Sequence, residues 1–308
     1  MGSPSIEELH TSAIQPLQLR RLVAGLSLDS TDVQLLKYLE FFAGKVSIER
    51  AAFLHVIPQF YVFQNQELMS RELEIQDAVE ERMEKLLEES IDLDLLGEVE
   101  LEIRHGDVLK ELLAEIKTQD ADVALIGQDA DTDVHGIKAK KMARRVSCNS
   151  LVIPSNATPG ISRIMVPIDF SDHAAQALRT ALAIQKSFGE EVEIICVHVY
   201  EMPYFAGFNI GKTEAVFNRM VKEDREEAFQ AFMAEHSPGD ATNISAKLIE
   251  KRDPRISNYL LKYAKDVGVD FVVMGAKGHS TVDLLMMGSV TESFLAGNED
   301  IPVIIVRK

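Results

Sequence analysis

The sequence predicts an α/β protein made of two tandem doubly wound domains, each with a mainly parallel sheet covered by helices. Short apolar runs alternate with longer amphipathic segments along the chain, which is the order expected of β–α–β units. The length of 308 residues fits two domains, since domains of about 150 residues are common. The same series of apolar runs also occurs once in each half of the chain.

The internal repeat consists of apolar runs that keep the same order and similar separations in both halves. The matched runs are 163–171 with 21–29, 195–199 with 52–56, 270–275 with 122–127, and 303–306 with 151–153. Between the copies lies the polar stretch Ser155–Gly160, whose Pro-Gly pair is typical of a linker. We therefore predict one domain over residues 1–156 and a second over residues 161–308.

Apolar spacing also predicts where the helices lie. In the second half it indicates helices over His173–Phe188, Glu214–Glu235, Arg255–Lys265 and Ser289–Leu295. In the first half it indicates one long, heavily charged helix over Glu67–Glu89. The charges of that helix are most simply a solvent-facing surface, although such helices also contact partners.

Composition narrows the classes of function. A net charge of −17 argues against binding to a nucleic-acid backbone or to an anionic membrane. No apolar run is long enough to span a bilayer, and Met1–Gln15 lacks the features of a signal peptide. Cys148 and Cys196 have no metal-ligand spacing and are typical of reduced structural thiols. We expect a cytoplasmic protein without nucleic-acid partners or membrane insertion.

A glycine pattern gives the strongest functional signal. It follows the apolar run Asp270–Met274 and consists of Gly275, Gly278 and, after nine further residues, Gly288-Ser289. Gly275 and Gly278 can take positive φ angles and, having no Cβ, let a ligand approach the backbone, and Ser289 is a suitable helix N-cap. A helix start exposes N–H groups and a positive dipole end that hold phosphate oxygens. The pattern therefore predicts a nucleotide site, although glycines in ordinary turns also fit the spacing.

The spacing G-x2-G-x9-G-S, with the segments VPIDFSD, VHV and VVMGAKG, resembles the ATP-binding branch of the universal stress protein family. The resemblance covers essentially the whole chain as two domains of Rossmann-like fold, and the second half matches better. It implies ATP binding in the C-terminal domain, with Mg²⁺ or Mn²⁺ bridging the phosphates. The residues that it implies at the site are Pro167, Ile168, Asp169, Val199, Met274, Gly275, Lys277, Gly278, Gly288, Ser289, Val290 and Thr291.

The resemblance also divides this site by role. It places Asp169 near the nucleoside and the backbone of Val199 at the adenine. It places Met274–Gly278 along the ribose and phosphates, and Gly288–Thr291 at the phosphates. It implies no catalytic residue and leaves the metal ligands unknown.

The first copy departs from the pattern where phosphates would bind. Ser27 stands at the position of Asp169, and Lys140-Lys141 replaces the Gly-Ser pair. Three acidic residues, which would repel phosphate, stand where N–H donors are needed: Asp129, Asp131 and Asp133. We therefore expect the first domain to be degenerate for ATP and to be a structural partner or to bind something else.

Two further motifs are weaker. Ala206–Thr213 resembles a relaxed Walker A loop, but Glu201–Phe205 separate it from the preceding strand, whereas a P-loop follows its strand directly. We keep the hypothesis that Lys212 approaches the phosphates. Asp129–Asp133 resembles the start of a calcium loop but lacks the glycine and glutamate that such a loop needs.

The histidines do not indicate a catalytic site. His55 and His198 lie within apolar strands, where hydrogen-bonded core histidines are usual. His279 is the histidine near the proposed phosphates, and we expect it to have no chemical role.

The sequence places no nucleophile and base together, so we expect a stress-response regulator that binds ATP with little or no turnover. Two alternatives stay open: an assembly or interaction module without physiological ATP binding, and a slow ATP hydrolase. By analogy with the family, we expect Leu151–Ile153 and Val303–Val306 to pair within one chain as a pseudo-dimer. Further homodimerisation of the whole chain is left open.

Overall fold

The computed structural model describes residues 14–57, 66–128, 133–202, 212–237, 241–278 and 287–307. The strands of the first half are β1 (Gln18–Leu26), β2 (Ser47–Ile57), β3 (Leu96–His105), β4 (Val123–Gln128) and β5 (Asn149–Pro154). Those of the second half are β6 (Arg163–Pro167), β7 (Glu193–Glu201), β8 (Ile244–Lys251), β9 (Phe271–Gly275) and β10 (Val303–Val306). The helices are α1 (Ser30–Ala43), α2 (Gln66–Ser90), α3 (Val108–Thr118), α4 (Asp133–Arg145), α5 (Asp172–Phe188), α6 (Lys212–His236), α7 (Ile256–Val267) and α8 (Ser289–Gly297).

The described strands form one sheet in the order β3-β2-β1-β4-β5-β10-β9-β6-β7-β8. If the strands of each half are numbered from its own first strand, both halves have the order 3-2-1-4-5. Neighbouring strands within each half are parallel. The halves meet through the antiparallel pair β5 and β10, in which Val152 lies opposite Val303 and Leu151 opposite Ile304. This confirms the doubly wound α/β fold and the predicted pairing of the last strands.

The central strands form because their side chains are buried on both faces of the sheet. All four residues of β10 and the first four of β9 are buried, as expected of strands covered by helices on both sides. One apolar cluster packs on one face around Phe42, Phe53 and Phe271, and another packs on the other face around Met274 and Phe294. No helix in the described ranges is both long and apolar enough to cross a membrane.

The repeat extends to local hydrogen bonds. The Asp122 carboxylate accepts the Arg21 N–H at 3.0 Å, and the Asp270 carboxylate likewise accepts the Arg163 N–H at 2.9 Å. The ring nitrogen Nδ1 of His55 lies 2.9 Å from the Leu26 carbonyl oxygen. That of His198 lies 2.7 Å from the Ile168 carbonyl oxygen. The expectation of hydrogen-bonded core histidines is confirmed.

Two strands were missed by the sequence prediction, β3 and β8. Both are the outer strands of the sheet, and both carry several charged side chains, in the sequences LGEVELEIRH and ISAKLIEK. Charged residues on edge strands discourage pairing with other chains, and they hide the apolar signal. The predicted helices agree with α2, α5, α6, α7 and α8 to within a few residues.

Candidate functional site

The predicted nucleotide site lies at the carboxyl ends of β6 and β9. These strands are neighbours, but the chain continues from β6 to β7 on one side and from β9 to β10 on the other. A crevice forms where the connections diverge in this way, and ligands of open α/β sheets bind there. The crevice is completed by the start of α8, which follows β9 in the chain.

The turn after β6 holds Asp169 in place. Ile168 donates its N–H to the Val197 carbonyl at 2.8 Å, which extends the pairing of β6 with β7 by one residue. Phe170 takes a positive φ of 63°, so the chain turns sharply into α5. Asp169 Oδ1 accepts the Ser171 N–H at 3.1 Å and the Ser171 hydroxyl at 2.6 Å. The carboxylate is therefore fixed by the turn that carries it.

The two glycines after β9 are required by close packing. A Cβ on Gly278 would collide with Asp169 Oδ2, and a Cβ on Gly275 would lie 2.9 Å from both Cβ and the carbonyl oxygen of His173. Neither glycine has a positive φ, since the glycines with positive φ in the described chain are Gly106, Gly189 and Gly268. The positive φ that glycine permits is therefore not used at either position, and close packing requires both glycines instead.

Helix α8 begins at this crevice without a side-chain cap. Its N-cap is Gly288, with φ −65° and ψ 148°, and this residue has no side chain to accept a hydrogen bond from the first turn. The prediction of Ser289 as N-cap is wrong, because Ser289 is the first helical residue. Gly288 donates its N–H to the Ala276 carbonyl at 2.8 Å. The buried Thr291 hydroxyl donates to the Gly275 carbonyl at 3.0 Å, so the helix start is fixed to the end of β9.

The other predicted site residues differ in what they can offer. Met274 is only 2% exposed and packs in the core, which leaves its backbone for a ligand. Lys277 is half-buried beside Gly278, and Ser289 is exposed in the first turn of α8. Val199 lies on β7, two residues beyond the residue paired with Pro167. The structure thus brings Asp169 together with the glycine segment and places Val199 on the strand next to β6.

Burial lowers the pKa of the His198 ring, which lies near the crevice, and so favours its neutral form. The ring packs on Phe170 with centroids 4.4 Å apart and so supports the turn that carries Asp169. Within the described ranges, no group of three or more His, Cys, Asp or Glu residues is placed to hold a metal ion. The structure does not describe His279, the side chain of Lys212, most of the Walker-like segment, residues 129–132 or the side chain of Asp133.

The first half contains a cavity that sequence reasoning missed. It has a volume of about 670 Å³ and lies at the carboxyl ends of β1, β2 and β4, the position that corresponds to the crevice of the second half. Lys140, the counterpart of Gly288, is an interior residue of α4. Its neighbouring N–H groups are used within that helix, which supports the expectation that the first half is degenerate for ATP.

Comparisons with known proteins point to one family. Residues 160–307 match the universal stress protein family. A universal stress protein of Methanocaldococcus jannaschii is 26% identical over 148 residues, which is 47% of this chain and 82% of the relative. A second one from that organism is 28% identical over 157 residues, 47% of this chain and 94% of the relative. The crystal structure of a universal stress protein from Archaeoglobus fulgidus superposes with a TM-score of 0.63 at 17% identity, covering 94% of this chain and 96% of that chain.

Proposed function

We propose that this protein, whose residues 160–307 match the universal stress protein family, binds ATP in that region and acts as a nucleotide-dependent regulator in the stress response. The observation that carries the proposal is the start of α8. Its first turn has no side-chain cap and lies beside the ends of β9 and β6. Free N–H groups at a helix start are suited to phosphate oxygens. We further propose that the protein works in the cytoplasm.

The residues at the crevice suit the parts of the nucleotide. In this proposal the N–H groups of Ser289, Val290 and Thr291 donate to phosphate oxygens. The Asp169 carboxylate, whose Oδ2 lies beside Gly278, receives a hydroxyl of the nucleoside. The positive charge of Lys277 favours the triphosphate. A divalent cation would be held mainly by the phosphates themselves.

Little or no turnover is part of the proposal. Phosphoryl transfer needs an oriented water and groups that stabilise charge in the transition state. Asp169, the carboxylate placed at the crevice by the described chain, is already engaged by the N–H and hydroxyl of Ser171. The site is therefore suited to holding a nucleotide and not to cleaving it.

The experiment is a calorimetric titration of the purified chain with ATP and with adenosine, in the presence and absence of Mg²⁺. We expect ATP to bind at least tenfold more tightly than adenosine, because the start of α8 binds the phosphates. Equal binding of the two would reject the phosphate site. Binding of neither would favour an interaction module without nucleotide, and phosphate release at a steady rate would favour a hydrolase.

A further inference from the structure

The cavity of the first half is large enough for a small organic ligand. Its volume of about 670 Å³ lies within the range of about 300–1,000 Å³ typical of ligand sites. Much of its wall is apolar, formed by Leu54, Val56, Leu109, Leu112, Ile126 and Met142. A cavity with such walls favours a ligand with a hydrocarbon or aromatic body.

Phosphate groups do not suit this cavity. In the second half Gly288 begins α8, whereas the corresponding Lys140 lies inside α4. The N–H groups around Lys140 are therefore used within the helix. Among the described residues that line the cavity, three carry carboxylates and one, Lys141, is a lysine. A multiply charged anion would be repelled there.

The carboxylates are arranged at two depths. Asp29 and Asp107 are exposed N-caps of α1 and α3, where they accept the N–H groups of Thr31 and Lys110. Asp32 is only 2% exposed, and its carboxylate accepts N–H groups of Ser27 at 3.2 Å and Leu28 at 2.6 Å. A carboxylate has about four acceptor positions, so Asp32 keeps capacity for a donor from a ligand.

Asp32 is specific to the first half. It is the third residue after the N-cap Asp29 of α1, and the third residue after the corresponding N-cap Ser171 of α5 is Ala174. A carboxylate buried among apolar side chains is costly unless it is paired with donors or a positive charge. The apolar wall and this carboxylate together define a ligand of mixed character.

We infer that the first-half cavity binds an amphipathic organic cation, whose ammonium group lies against the Asp32 carboxylate and whose apolar body lies against the wall. The exposed Asp29 and Asp107 draw the cation to the mouth of the cavity. This inference does not depend on ATP binding in the second half, because it concerns a separate cavity.

The test uses three probes with one hydrocarbon body: 4-phenylbutylamine, 4-phenylbutanol and 4-phenylbutyrate. Binding to the full chain is measured by ligand-observed NMR at neutral pH. The expected order is amine, then alcohol, then carboxylate, with at least about tenfold between the first and the last, as expected for a close charge pair in a partly buried site. Equal affinity of amine and carboxylate would overturn the inference.

Variants locate the site. Asp32→Asn keeps the shape and one acceptor oxygen but removes the charge, so the preference for the amine should be lost while the alcohol still binds. Met142→Trp should fill the cavity and weaken binding of all three probes. Asp29→Asn and Asp107→Asn keep N-caps that asparagine also supports, and they should weaken the amine only about two- to threefold, as exposed charges do.

Controls separate this site from the second half. ATP titrations of every variant should match the unaltered chain. Undiminished amine binding in Met142→Trp would reject the cavity as the site. If Asp32→Asn does not fold, the order of the three probes on the unaltered chain and the effect of Met142→Trp still decide the question.

Discussion

Gly288→Asp separates the stability of α8 from its capacity to bind phosphate. The backbone of Gly288, at φ −65° and ψ 148°, is open to any L residue. An added Cβ would lie 3.5 Å from Lys277 Cα and 3.6 Å from the Ala276 carbonyl oxygen, so a side chain fits. Aspartate is a strong N-cap. Its carboxylate would accept the N–H of Val290 or Thr291 and stabilise the fold by about a few tenths of a kcal/mol, because glycine is itself an acceptable N-cap.

The same carboxylate would oppose ATP. It would occupy a phosphate donor and add a negative charge next to the triphosphate. Hydrogen bonds that involve charged groups contribute about 1.5–3 kcal/mol each. Loss of one such bond together with the added repulsion amounts to about 3 kcal/mol, or a weakening of about 100-fold in Kd. Calorimetry measures the Kd, and urea unfolding measures the stability.

A matched control has the same charge change elsewhere. Gly160 lies in the linker, and a Cβ added there meets nothing within 4 Å. Gly160→Asp should bind ATP like the unaltered chain. If Gly288→Asp folds stably and binds ATP with unchanged affinity, the start of α8 is not the phosphate site and the reasoning is refuted.

Three further predictions concern packing, pH and the seam between the halves. Gly278→Ala should displace the Asp169 carboxylate, because the added Cβ would collide with Oδ2. Calorimetry should show ATP affinity reduced about tenfold, equivalent to about 1.4 kcal/mol. An unchanged affinity would contradict the assigned contact. Burial raises the pKa of Asp32 from 3.8 to about 6, so the folded chain binds the proton of the Asp32 carboxyl more tightly than the unfolded chain does. This protonation stabilises the fold below about pH 4, and the stabilisation is lost as the pH rises through about 6. Urea unfolding at several pH values should show the unaltered chain losing up to about 3 kcal/mol relative to Asp32→Asn between about pH 4 and pH 7, and a constant difference would contradict the shift. Gln128→Ala should lower the free energy of unfolding by about 1–3 kcal/mol in the same assay, because the buried amide of Gln128 donates to the carbonyls of Leu295 and Asn298 in the other half. A decrease below about 0.5 kcal/mol would show that water replaces those bonds.

The fold could be predicted because its central strands are buried on both faces. Such strands read as continuous apolar runs, and the same runs recur in each half. The outer strands β3 and β8 could not be found in this way, since charged side chains interrupt their apolar residues. The repeat implies that both halves share one strand order, and the family resemblance predicts the pairing of β5 with β10.

The sequence identifies the glycines of the proposed site but not the packing that requires them. The sequence shows glycines at positions 275 and 278, but it does not show which neighbouring residues leave no room for a Cβ there. Those neighbours, His173 and Asp169, are about a hundred residues away in the chain. Ser289 has the better N-cap chemistry, yet the connection from β9 places Gly288 at the helix start.

The first-half cavity could not be predicted, because the side chains that line it are of the same apolar types as those of the core. Leu54 and Ile126 lie in apolar strands, and a sequence does not show whether such residues enclose a ligand space or pack on one another. Asp32, in contrast, is visible in the sequence as a difference between the two copies. It is an acidic residue in the first turn of α1, and the corresponding residue of α5 is Ala174.

The most direct measurement is an NMR titration of the backbone amides with ATP. The account predicts that saturating ATP shifts the amide resonances of Gly278 and of Ser289–Thr291, while those of Lys140 and its neighbours in α4 do not move. Shifts confined to the first half, or to the segment around Lys212, would contradict the claim that the start of α8 binds the phosphates.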